Sequence, residues 1–172
     1  MKSLQKRAQI LNTKKAQGFS LIELLLVIAI IAILAIAAFI IFPQVQASSR
    51  ANTERSNINT IAACAKSAFN GRYTGLSNAT AISAECAPSS MVSGVDGITS
   101  SWGQPVTVTG APTTFTIAYD ALPKSVCLKL VPGLLNNFDS VAVGGATLNK
   151  DSIPTAVITA CQNPGDMVVT SN

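Results

Sequence analysis

The sequence predicts an α+β chain, with one long N-terminal helix packed on a small antiparallel sheet that carries short helices. Residues 24–42 are nineteen consecutive apolar residues. Past them, apolar side chains keep recurring at helical spacing as far as Phe69. From Trp102 onward the pattern changes to alternation at period two, broken by Gly and Pro turns. A period near 3.6 marks amphipathic helix and a period of 2 marks half-buried strand, so the switch divides a helical N-terminal part from a mixed head.

Residues 1–18 carry Lys2, Lys6, Arg7, Lys14 and Lys15 and no acid. A basic segment before an apolar run is a targeting signal whose positive face stays cytoplasmic. Charge and polarity persist up to Gln17-Gly18, and the apolar run starts after them, the reverse of an ordinary secretory signal. Residues 19–42 form the span. Nineteen helical residues rise about 28 Å at about 1.5 Å each, close to the roughly 30 Å hydrocarbon core of a bilayer. Ala29, Ala32, Ala35, Ala37 and Ala38 are small positions at which neighbouring helices approach closely. Glu23 is the only acid near this run. A carboxylate there costs roughly 2.5–3.5 kcal/mol on insertion scales and calls for a partner, although a helix N-terminus already favours it.

Residues 43–70 continue the helix. Ile58, Ile61, Ala62, Ala65, Ala68 and Phe69 form an apolar stripe, with Glu54, Arg55, Asn59, Thr60 and Lys66 expected opposite. Pro43 costs a backbone hydrogen bond and is expected to kink or loosen the helix. Asn70-Gly71 ends it, because glycine suits the left-handed C-terminal cap. Residues 71–172 are the head. Residues 72–103 read as loop-rich, with a short helix between residues 76 and 86 and a chance sequon at Asn78-Ala79-Thr80. Residues 106–108 and 114–119 form a hairpin around Gly110-Ala111-Pro112. A helix covers 122–134, with Pro123 in its first turn and an end at Pro132-Gly133 or just beyond. Residues 138–143 suggest a strand, 154–161 a brief helix and 167–170 a final strand. For Trp102, packing is the expected role.

The net charge of +4 belongs to the leader. After Gly18 there are seven bases and eight acids, a net of −1, so a nucleic-acid partner loses its main support. The chain has no histidine, no GxSxG and no Gly-rich phosphate loop, which weighs against an enzyme. Cys64, Cys86, Cys127 and Cys161 are widely spaced with no CxxC, which argues against a metal site; no cofactor is expected. Four cysteines in an exported domain read as two disulfides with three connectivities. Sequential pairing, Cys64–Cys86 with Cys127–Cys161, closes the smallest loops and is the expected one.

Gly18-Phe19-Ser20-Leu21-Ile22-Glu23, followed by about twenty apolar residues after a basic leader, resembles the class III signal of type IV prepilins and pseudopilins. The resemblance implies the type IV pilin fold. It also implies a prepilin peptidase that cuts between Gly18 and Phe19 and N-methylates Phe19, and a role for Glu23 in assembly, paired with the N-terminus of a neighbouring subunit. Leader length and the order of head elements are most like the major pilin of thin type IVb pili, known from conjugative plasmids and enteric pathogens. Implied partners are further copies of the chain, an inner-membrane assembly machinery, an outer-membrane secretin, and a host or recipient cell surface. The protein would wait in the bacterial inner membrane as a single-pass prepilin and then join an extracellular pilus. A minor pilin, or a pseudopilin of a type II secretion system, shares the N-terminal features, and filament stoichiometry separates these readings. The calcium loop of some pseudopilins needs clustered acids, whereas Asp139, Asp151 and Asp166 are scattered.

Overall fold

The computed structural model describes residues 20–172, so Gly18 and Phe19 lie outside the described residues. The chain divides into two compact units, Met1–Ile40 and Ile41–Asn172. Helix α1, Leu21–Phe69, contributes to both and runs through Pro43. It ends at Asn70 and Gly71, whose φ angles of 47° and 79° are left-handed, as a glycine-assisted cap requires.

The second unit is built on a sheet of seven strands, all paired antiparallel, in the order β1-β2-β3-β4-β7-β5-β6. Here β1 is Val92–Ser93, β2 Gly97–Thr99, β3 Pro105–Gly110, β4 Phe115–Tyr119, β5 Ser140–Val143, β6 Ala146–Leu148 and β7 Met167–Ser171. Strict alternation sets the register. Val106 and Val108 of β3 stand opposite Tyr119 and Ile117 of β4, Ile117 stands opposite Val169 of β7, and Val169 opposite Val141 of β5. All of these are buried on one face. A slip by one residue would turn that whole face outward. The last strand is central: β7 joins β4 to β5, so without it the sheet falls into two pieces.

Three short helices complete the head: α2 Asn78–Ser83, α3 Lys124–Leu134 and α4 Pro154–Ala160. Pro123 precedes α3, and Pro132 lies inside it, so the helix runs past Pro132-Gly133 to Leu134. The region expected to be mainly loop, 72–103, contains the hairpin β1–β2. Two- and three-residue strands are too short to show a period, and glycines and serines fill this stretch. Strand β6 is equally short and escaped the sequence reading for the same reason.

Asn78 has a structural task. Its side-chain amide donates to the Val106 carbonyl at 2.9 Å and its Oδ1 accepts from the Val108 N–H at 2.6 Å. It thereby supplies β3 with the bonds that the short β2 does not reach. Next to it, Gly110 must be glycine, because a Cβ there would come within 1.8 Å of the Tyr73 carbonyl oxygen. The structure joins Cys64 to Cys86, with Cα atoms 5.2 Å apart, and Cys127 to Cys161, at 5.7 Å. The first bond ties α1 to the segment after α2, and the second ties α3 to the end of α4. The chain-entropy account assigns a loop of the second size about 3–4 kcal/mol.

Along the second half of α1 the buried stripe runs through Ala47, Ala51, Glu54, Ile58, Ile61 and Ala65, spaced alternately by four and three residues, with Asn57 and Ala62 buried beside it; Ala68, expected in the stripe, is exposed. Ile58 and Ile61 are fully enclosed, each worth roughly 1.5–3 kcal/mol. This register corrects the expectation for Glu54. It lies in the buried stripe, fully covered, and not on the solvent face. Arg55 is half-buried and turned toward α3.

Candidate assembly helix and the anchor of its head half

In the first unit, Ser20 sits just before α1, and its carbonyl accepts from the Glu23 and Leu24 N–H groups at 3.0 and 3.1 Å. Glu23 therefore stands in the first helical turn, where the positive end of the helix dipole favours a carboxylate. Its side chain is exposed. So are the large apolar side chains that follow it, from Leu24 at 54% to Phe39 at 81%. Water is the wrong solvent for such a surface. The helix is long and apolar enough to cross a membrane, and the same surface suits packing among copies of itself.

In the second unit, the buried Glu54 fastens α1 to the sheet. Its Oε1 accepts from the Ser101 N–H at 2.5 Å, in the turn before β3, and its Oε2 accepts from the Tyr119 hydroxyl at 3.0 Å, at the end of β4. Asn57, one turn along α1, adds a longer contact at 3.4 Å. Burial, with the Glu54 carboxylate beside it, pushes the Tyr119 phenol well above its usual 10.0. Trp102 packs on Tyr119 with ring centroids 5.5 Å apart and donates from Nε1 to the Asp120 carbonyl at 3.3 Å. It is half-buried over the clamp.

A second seam joins α1 to α3. Arg55 donates from Nη2 to the Lys129 carbonyl at 2.8 Å, and its guanidinium fills the space at Gly133, where a Cβ would fall 2.1 Å from Cζ. In the opposite direction, Lys129 Nζ donates to Ser48 Oγ at 2.6 Å and to the Gln44 carbonyl at 3.4 Å. The head half of α1 is thus fixed by apolar packing, a buried acid and two basic side chains. Among the described residues, no group of three His, Cys, Asp or Glu side chains could hold a metal ion.

Of the residues singled out from sequence, Glu23 lies on an exposed first turn, and Gly18 and Phe19 lie outside the described residues. Glu54 was missed as an anchor. Its signal was present in the spacing, since it falls in register with Ala47, Ala51 and Ile58. An acid in an apolar register is a request for donors.

Residues 13–39 match the prokaryotic N-terminal methylation motif, and residues 48–172 match the family described as PilS N terminal. Comparison with curated proteins finds no match. Among solved structures, the chain is similar to TcpA, a type IV pilin from Vibrio cholerae El Tor biotype, with 15% identity over 73% of this chain and 98% of that one and a TM-score of 0.49. A methylation motif that runs into an apolar helix, followed by an α+β head, defines a type IV prepilin, a structural subunit and not an enzyme. The chain belongs to the PilS family, whose profile covers most of its length. The motif implies processing by a prepilin peptidase and polymerisation into a pilus.

Proposed function

We propose that this protein is the major subunit of a type IVb pilus. The peptidase cuts between Gly18 and Phe19 on the cytoplasmic side and methylates the new amine of Phe19. The mature chain then waits in the inner membrane through residues 19–42. An assembly machinery in that membrane extracts it into a fibre that leaves through an outer-membrane secretin. Within the fibre, Glu23 pairs with the N-terminus of a neighbouring copy and sets the axial register. The fibre serves attachment, either to a host cell or to a recipient in conjugative mating.

One observation carries this reading: the part of the methylation motif from Leu21 to Phe39 is an apolar helix with its large side chains exposed. A surface of that kind is stable only in lipid or against its own kind. The leader is tested by substituting Gly18. Gly18→Val is expected to leave the full-length basic precursor in the membrane fraction, with no filaments in the sheared surface fraction. Filaments built from uncut chains would refute the processing scheme.

A further inference from the structure

Outside α1, the exposed large apolar side chains among the described residues fall in only two places. Val95, 87% exposed, is the barest of them and sits at the tip of the β1–β2 hairpin. Leu128 and Ile158, at 40% and 49%, line one groove between α3 and α4, and Ile153, at 64%, lies beside it at the start of α4. That groove has a volume of about 280 Å³. Pro132, Val157 and the side chains of Leu128 and Ile158 line it, and Lys150 stands on its wall.

The tip is built to present its residues. The loop Gly94-Val95-Asp96 is closed by the pairing of Ser93 with Gly97. Gly94 has a left-handed φ of 73°, and a Cβ at Gly97 would lie 2.1 Å from the Ser93 carbonyl oxygen. Only glycine permits so tight a closure. The result is a projecting valine with a carboxylate, Asp96, beside it. The groove offers the complement, an apolar floor with an ammonium at its side.

Knob and groove cannot meet within one head. Strand β1 forms one edge of the seven-stranded sheet, whereas β6 forms the other edge, and α4 packs on β6 and α3. Two complementary patches on opposite edges of one subunit make a heterologous contact, and a heterologous contact that does not close on itself propagates a filament.

We infer that the Val95-Asp96 tip of one copy seats in the α3–α4 groove of the next, with Asp96 paired to Lys150, as a head-to-head contact of the fibre. This rests on the filament reading above and adds to it a second contact, distinct from the N-terminal helix. Val95 supplies the apolar anchor, and the Asp96–Lys150 pair at the rim fixes orientation and partner choice.

The test uses the full-length chain in cells that display the fibre, with sheared filament yield compared against cell-bound mature subunit. Val95→Asp places a charge on a side chain that is 87% exposed in its own head, so the subunit still folds; filament yield is expected to fall about tenfold. Asp96→Lys and Lys150→Asp each lower yield about threefold, and together they restore it, because the rim pair is rebuilt with its charges exchanged. Undiminished yield with Val95→Asp overturns the contact, as does a charge-exchanged double variant no better than either single one. Wild-type chains in the same preparation report separately on the filament reading, since fibres that never form in wild type count against that reading and not against the tip and groove.

Discussion

Glu23→Ala is expected to be cut and inserted normally and to yield almost no surface filaments. The carboxylate stands in the first turn of α1, exposed on a helix whose other side chains nearby are apolar. In lipid it is tolerable because it is close to the helix N-terminus and to the interface. In a bundle of such helices the same charge loses water on every side and needs an opposite charge within reach. The N-methylated, still cationic amine of Phe19 on an adjacent copy is the candidate partner. Removing one member of a buried pair costs about 3–5 kcal/mol, because the other is left charged and unpaired. At 1.4 kcal/mol per tenfold, each contact weakens by two orders of magnitude or more, about 100-fold at the lower figure. The ratio of sheared to cell-bound mature chain measures this. An unchanged ratio would show that Glu23 has no part in assembly.

Glu54→Ala should have a comparable effect on the stability of the head. It deprives the Ser101 N–H and the Tyr119 hydroxyl of their acceptor and opens a void between α1 and β4. The buried Tyr119 hydroxyl left unpaired costs about 1–3 kcal/mol, and the void beside it adds to that, so a loss of about 3–5 kcal/mol is expected. That is a large part of the roughly 5–15 kcal/mol that holds a domain folded. Tyr119→Phe removes one of these bonds and leaves the other, so it should cost about 1.5–3 kcal/mol. Denaturant melts of the whole chain in detergent, with disulfides intact, give both values. Equal stability of wild type and Glu54→Ala would mean that the clamp contributes nothing.

The same clamp sets an alkaline limit. Burial and the neighbouring carboxylate raise the Tyr119 phenol above its usual 10.0. The folded head therefore keeps this proton at a pH where the unfolded chain has released it. The contribution is fully present below about pH 10, the ordinary tyrosine range, and is lost as pH rises toward the folded value. Tyr119→Phe should flatten that alkaline decline.

Legibility in the sequence followed the length of each pattern. The nineteen-residue apolar run, the continuation to Phe69 and the hairpin of β3 and β4 are long enough for their periods to be read, and they appear where the pattern places them. Strands β1, β2 and β6 have two or three residues each and carry no period. The central place of β7 could not be read at all, since pairing between residues fifty positions apart leaves no local trace. Glu54 failed for a different reason. Residue type argued for solvent while helical register argued for the core, and the register prevailed because Ser101 and Tyr119 arrive with donors from distant parts of the chain.

In the proposed function the apolar helix, freed of its basic leader, is the polymerising element of an abundant surface fibre. Intact-mass spectrometry of sheared filaments tests it most directly. One dominant species is expected, beginning at Phe19, carrying a methyl group on its N-terminal amine, and four hydrogens lighter than the reduced chain because of its two disulfides. Filaments that lack this chain, with the protein confined to the membrane fraction or still carrying residues 1–18, would contradict it.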